Sequence, residues 1–233
     1  MFMYEPNTMK SSHTPLAIIT GGSGYLGSSM ASSFKKAGWE VFVLSRETGC
    51  DITDSSQVET KLSTLGERPI SACIHAAAAP PTSKKISELE PNIFAEEMRT
   101  AVVGAANVLR HALPRMNEES VFIGITTKLI EPNITSGPLG GYLSTKYALR
   151  GFLRTIAQEE KRLRVYAVAP GYMPGGLNSK VPQTILSFLA QKSGAGQTSA
   201  EEVSELIVKL CTDTAAFPSG SSIVVPEMRA SPL

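Results

Sequence analysis

The sequence predicts an α/β fold: a doubly wound parallel sheet covered by helices on both faces. Short apolar runs alternate with segments of helical period along nearly the whole chain. The first of these runs ends in a glycine-rich loop that opens onto a helical pattern. With 233 residues, 42% hydrophobic and 18% charged, the chain can bury one sizeable core, as expected of a single domain.

Leu16-Ala17-Ile18-Ile19-Thr20 is continuously apolar up to its last residue, the pattern of a strand buried on both faces. Residues 25–37 follow as an amphipathic helix, with Leu26, Met30 and Phe34 on one stripe and Gly38 just past the end. Residues 39–44 read as a second strand, 50–52 as a short third, 55–65 as a helix and 72–75 as a further strand. A longer helix over 95–113 precedes the buried-strand pattern Val121-Phe122-Ile123-Gly124-Ile125.

Residues 142–161 are helical, with Leu143, Leu149, Phe152, Leu153 and Ile156 apolar, and a strand over 165–168 is stopped by Pro170-Gly171. An amphipathic stretch over 181–190, a helix over 201–211 and a strand over 222–225 complete the order. Right-handed crossovers return such strands to one sheet, giving a Rossmann-like architecture. Its ligand loops, after Thr20, Ser45, His75, Ile125 and Pro170, gather at the carboxyl ends of the strands. Residues 1–14 read as a disordered leader, leaving 15–233 as the folded domain.

A net charge of +1 provides no basic footprint for nucleic acid or an anionic membrane, and no apolar run is long enough to span a bilayer. Cys50, Cys73 and Cys211 are odd in number and widely spaced, which points to a reducing, cytoplasmic setting rather than a disulfide framework. No metal site is expected, because His75 and His111 lie far apart without a third ligand. A small-molecule ligand remains.

Thr20-Gly21-Gly22-Ser23-Gly24-Tyr25-Leu26-Gly27 places Gly22, Gly24 and Gly27 at GxGxxG spacing between strand and helix. Glycines there let the backbone approach a pyrophosphate while free N–H groups at the helix start face the anion. The second strand ends in Ser45-Arg46 where an acidic residue would bind the ribose hydroxyls of NAD. A guanidinium beside a hydroxyl suits the 2'-phosphate of NADP(H), with Glu47 weakening its pull. Further along, Tyr142 and Lys146 lie four residues apart and so share one helix face. An ammonium near a phenol favours its ionised form, which makes proton exchange with a substrate oxygen feasible.

Taken with these motifs, the chain resembles the short-chain dehydrogenase/reductases, in their compact branch, from Leu16 to about Pro226. The Cys50-Asp51-Ile52 segment is similar to the family's adenine contact, and His75-Ala76-Ala77-Ala78 stands in the place of its sheet-stabilising motif. Ala169-Pro170-Gly171 and Phe217-Pro218-Ser219-Gly220 complete the resemblance. It implies Tyr142 as general acid/base and Lys146 as the group that lowers its pKa and holds the nicotinamide ribose; Met173, in the place of the family's threonine contact, reads either as a backbone contact to the cofactor or as packing against a lid. The implied activity is NADP(H)-dependent reduction of a ketone or aldehyde, of carbonyl or 3-oxoacyl type.

Three departures stand out. Thr126 and Thr127 replace the family's serine, Thr127 aligning better and Ser136 less well. Ala101 occupies the position of an asparagine that holds a relay water, and Asn107 faces elsewhere. Tyr172-Met173-Pro174 replaces the threonine expected after Pro170-Gly171. These motivate a rival reading, a non-catalytic NADP(H)-binding scaffold or sensor. A sugar-nucleotide epimerase or dehydratase also matches Gly21, Gly24 and Gly27, against a short expected tail after Gly171. The 181–190 stretch reads as a lid or as core, and Ser144 as a cofactor contact or a helix-surface hydroxyl. Apolar residues on several faces of the helices that start near Ala95 and Tyr142 predict a homodimer or homotetramer.

Overall fold

A computed structural model describes residues 14–134 and 136–233 of the chain, so the leader expected over 1–14 lies almost wholly outside the described residues. The chain begins with strand β1 (Leu16–Thr20), helix α1 (Tyr25–Lys36), strand β2 (Glu40–Leu44), helix α2 (Ser55–Ser63) and strand β3 (Ile70–His75). Helices α3 (Pro91–Met98) and α4 (Gly104–Ala112) are joined without a break by a π-helical segment, Arg99–Val103. Strand β4 (Met116–Ile125), helix α5 (Gly140–Glu159), strand β5 (Arg164–Pro170), helices α6 (Gln183–Ser193) and α7 (Ala200–Thr212), and strands β6 (Ser221–Val225) and β7 (Arg229–Pro232) follow.

The seven strands form one sheet in the order β2-β1-β3-β4-β5-β6-β7, parallel except for the antiparallel β6-β7 pair. Alternation within the strands explains the two covered faces. Ala17 and Ile19 of β1 pack with Met30 and Phe34 of α1 and Val203, Leu206 and Ile207 of α7 on one side. Leu16 and Ile18 face Val58 and Leu62 of α2, Val108 of α4 and Leu149 and Leu153 of α5 on the other. Chain order reverses direction between β1 and β3, which opens the crevice where ligands of such sheets bind.

Four sequence expectations change. Residues 50–52 form no strand: they cross beyond the edge strand β2, with the Cys50 N–H donating to the Ser45 carbonyl and Asn107 donating to the Ile52 carbonyl at 2.9 Å. An apolar alternation becomes a strand only where a neighbour's backbone is in reach. The helix expected over 95–113 starts at Pro91, a residue well suited to a first turn, and carries the π segment. Strand β4 starts five residues before Val121, at Met116, with a register shift against β3 between Ile70 and Ala72. Strand β7, too exposed to show a buried-strand pattern, pairs with β6.

Candidate active site

The carboxyl ends of β1 to β5 open into a cavity of about 840 Å³. The glycine loop forms its floor. Gly21 has φ +65°, and a Cβ on Gly27 would lie 2.1 Å from the Gly21 carbonyl oxygen, so the turn closes only around a bare α-carbon. Gly24 caps α1 with no side-chain hydrogen bond and the first turn holds no acidic residue, which leaves N–H groups and the positive helix end directed at the cavity. This cradle fits a pyrophosphate, and Ser23, Gly24, Tyr25, Leu26 and Gly27 all line it. Gly22 is the exception among the loop residues: it packs beneath, its α-carbon against Val43.

Beyond β2, the Ser45 hydroxyl bonds that of Ser23 at 2.8 Å and caps the turn Arg46–Thr48. Arg46 is exposed at the cavity wall and forms no ion pair among the described residues, while Glu47 stands beside it. Asp51 and Ile52 line the same end. The side chain of Asp51 is held by the backbone and hydroxyl of Thr53, at 2.9 and 2.8 Å.

A buried hydroxyl that the sequence reading passed over organises the next wall. Thr20 Oγ1 accepts the N–H groups of Ala76 and Ala77, each at 3.1 Å, and contacts His75 Nδ1 at the same distance. It ties the Ala76-Ala77-Ala78 stretch, which lines the cavity, to the end of β1.

Tyr142 and Lys146 project from the first two turns of α5 into the far end, the Lys146 Nζ lying 5.5 Å from the centre of the Tyr142 ring. Burial pushes the Tyr142 phenol up to about 12, partly opposed by the neighbouring Thr127 hydroxyl. Lys146, almost wholly buried, donates to the Ile125 carbonyl at 2.8 Å, and burial lowers its pKa to about 8. In this arrangement burial governs the phenol, and the expected lowering by Lys146 is not what sets its proton affinity. The three hydroxyl candidates separate by geometry. Thr126 donates to the Val168 carbonyl at 3.1 Å, Ser136 is exposed and is not part of the cavity wall, and Thr127 lines the cavity with Tyr142 while its hydroxyl accepts the Leu129 N–H at 3.3 Å. Ser144 is spent on the Gly140 carbonyl at 2.8 Å.

Pro170, Gly171 and Met173 line the side opposite the glycine loop, and Tyr172 beside them reaches the vicinity of Tyr142. The loop closes over α1, with Gly175 and Gly176 packed on the Tyr25 ring. Helix α6 stands behind this loop, so of its two readings, lid or core, the packing one holds for Leu186 and Ala190, which brace the wall. Glu97 was also missed by sequence. Its carboxylate accepts the Thr82 N–H at 3.1 Å and lies against Gly141 in the first turn of α5. No three-residue metal-ligand group exists among the described residues, and no described helix is long and apolar enough to cross a membrane.

Residues 44–226 match the family model described as enoyl-(acyl carrier protein) reductase. This chain belongs to the short-chain dehydrogenase/reductase family. As a member of that family it is an oxidoreductase built on a dinucleotide-binding fold. It is 24% identical over 245 residues to the short chain dehydrogenase/reductase astE of Aspergillus oryzae, covering 90% of this chain and 92% of the relative. Acetoacetyl-CoA reductase of Shinella zoogloeoides is 23% identical over 232 residues, with 89% and 95% covered. The fold is shared with 3-ketoacyl-(acyl-carrier-protein) reductase of Brucella melitensis, solved with NADH, at a TM-score of 0.78 and 20% identity, covering 92% of this chain and 98% of that one.

Proposed function

We propose that this short-chain dehydrogenase/reductase reduces a ketone or aldehyde to the alcohol with NADPH. The observation that supports this most directly is the meeting of Thr127, Tyr142 and Lys146 in one cavity with the uncapped start of α1. A reduced nicotinamide bound there would supply hydride to the carbonyl carbon. Tyr142, whose phenol keeps its proton at neutral pH, donates that proton to the carbonyl oxygen. Thr127 steadies the phenol, and Lys146, about 8 in pKa and so mostly cationic at neutral pH, stabilises the negative charge left on it.

The cofactor's pyrophosphate fits the Gly21 to Gly27 cradle, and its adenine end fits Asp51 and Ile52. Pro170, Gly171 and Met173 with Ala76 to Ala78 would enclose its nicotinamide end, where Lys146 would also hold the ribose. The choice of NADP(H) rests on the unpaired Arg46 beside Ser45 at the end of β2. Replacing Tyr142 by Phe is expected to lower NADPH-dependent carbonyl turnover at least a hundredfold with cofactor affinity retained. Arg46→Ala is expected to weaken NADPH at least tenfold and to leave NADH nearly unchanged. Equal loss for both cofactors would remove the NADP(H) assignment.

Ala101 lies within the π segment and brings no polar side chain to it, which favours the scaffold reading as the second possibility. NADPH binding without turnover of any carbonyl, together with a partner whose affinity depends on the cofactor's redox state, would establish it. Exposed Ile93, Val103 and Tyr147 on α3, the π segment and α5 support self-association, which gel filtration tests.

A further inference from the structure

We infer that the substrate is a neutral, apolar ketone or aldehyde, and not a carboxylate or a phosphate-bearing acyl thioester. The inference rests on the reductase reading and concerns the end of the cavity beyond Tyr142. The two ends of that cavity differ in chemistry. Around the glycine loop and β2 the wall carries Ser23, Ser45, Arg46, Asp51 and Thr53. Beyond Tyr142 it carries Leu129, Leu139 and Tyr172. Pro80, Pro81 and Leu177 add apolar surface to the lining, with Thr100 and Asn178 as neutral polar groups.

Leu129 and Tyr172 belong to an apolar cluster separate from the two cores of the sheet. Leu186 and Ala190 of α6 and Ala195 back it, and Leu139 packs against it. An apolar wall with its own packed support keeps its shape and presents dry surface to whatever binds there.

This end has little free positive charge to offer an anion. Apart from Lys146, no lysine or arginine lines it among the described residues, and Lys146 is engaged by the Ile125 carbonyl. Lys128, next in sequence to Thr127, is turned to an ion pair with Glu227. Glu96, which also lines the cavity, is exposed and paired with Arg99 at 3.4 Å. A carboxylate placed against Leu129, Leu139 and Tyr172 would lose its water without gaining a counter-ion, whereas a neutral apolar group is stabilised by the same surface.

The test compares NADPH-dependent reduction of an alkyl-substituted cyclohexanone series with acetoacetate and acetoacetyl-CoA. The neutral ketones are expected to have kcat/KM at least tenfold higher. In Leu139→Lys, the ratio should shift at least tenfold toward acetoacetate, while NADPH affinity by fluorescence stays unchanged as the sign of an intact fold. Wild-type protein that turns over acetoacetate or acetoacetyl-CoA better than any neutral ketone would overturn the inference and leave the reductase reading standing.

Ternary binding separates the two if no carbonyl is turned over, a result that removes the reductase reading. With NADP present, the matching cyclohexanols should raise the melting temperature and acetoacetyl-CoA should not. The reverse order, or no shift with either, overturns the apolar assignment.

Discussion

Acidification should destabilise this protein through His75, by an amount that follows from its surroundings. The ring is 1% exposed. Thr20 Oγ1 already accepts two backbone N–H groups, so its own proton goes to His75 Nδ1 and the neutral ring carries hydrogen on Nε2. A second proton on Nδ1 would face a hydroxyl with no free lone pair. Burial and then the charge of Lys146 lower the pKa from 6.5 to about 3, outweighing the opposing pull of the Ala101 backbone. Between these two values the unfolded chain binds the proton and the folded chain does not, so stability is lost as pH falls below 6.5.

At pH 5 the unfolded imidazole is almost fully protonated and the folded one almost fully neutral. The ratio of binding polynomials there corresponds to about 1.5 pKa units, or about 2 kcal/mol. Raising the folded value by one unit changes this by less than about 0.1 kcal/mol, because the folded ring stays neutral at pH 5 in both cases. His75→Asn places an amide oxygen where Nδ1 accepts from Thr20 and has no ring to charge. Urea unfolding at pH 7 and pH 5 should show the parent losing about 2 kcal/mol more than the variant between the two pH values, with equal m-values. Parallel losses in the two proteins would refute the tautomer and the burial argument together.

Other perturbations probe the walls of the cavity. Gly27→Ala sets a methyl 2.1 Å from the Gly21 carbonyl oxygen, and titration should show NADPH binding weakened at least tenfold with the far-ultraviolet circular dichroism unchanged. Thr20→Val deprives the Ala76 and Ala77 N–H groups of their acceptor and is expected to cost about 2 to 4 kcal/mol in denaturant unfolding, with Thr20→Ser restoring most of it. Glu97→Ala frees the Thr82 N–H and the turn that carries Tyr142. Its kcat should fall severalfold at unchanged NADPH affinity, with Glu97→Gln intermediate because its amide oxygen still accepts from Thr82. Equal behaviour of the alanine and glutamine variants would remove Glu97 from the support of that turn.

What could be read without coordinates was whatever short-range pattern encodes. Two-sided apolar runs mark β1, β3, β4, β5 and β6, a helical stripe marks α1, and glycine spacing marks the loop between β1 and α1 because a Cβ there has no room. The four-residue interval between Tyr142 and Lys146 was enough to put them on one face of α5.

Tertiary structure decided what depends on partners far away in sequence. Residues 50–52 are no strand because nothing pairs with them, and β7 is one because β6 does. Thr126 and Thr127 are chemically equivalent in sequence, yet the Val168 carbonyl takes the hydroxyl of one while the other accepts the Leu129 N–H beside Tyr142 in the cavity wall. Glu97, Thr20 and Tyr172 join the site through contacts between segments distant in sequence, 57 residues for Thr20 and Ala77 and 15 for Glu97 and Thr82, which no local periodicity records. Likewise, the pair that carries the proposed chemistry is legible as an interval, but its proton affinities belong to the fold, since burial of Tyr142 and Lys146 sets them more strongly than the distance between the two side chains.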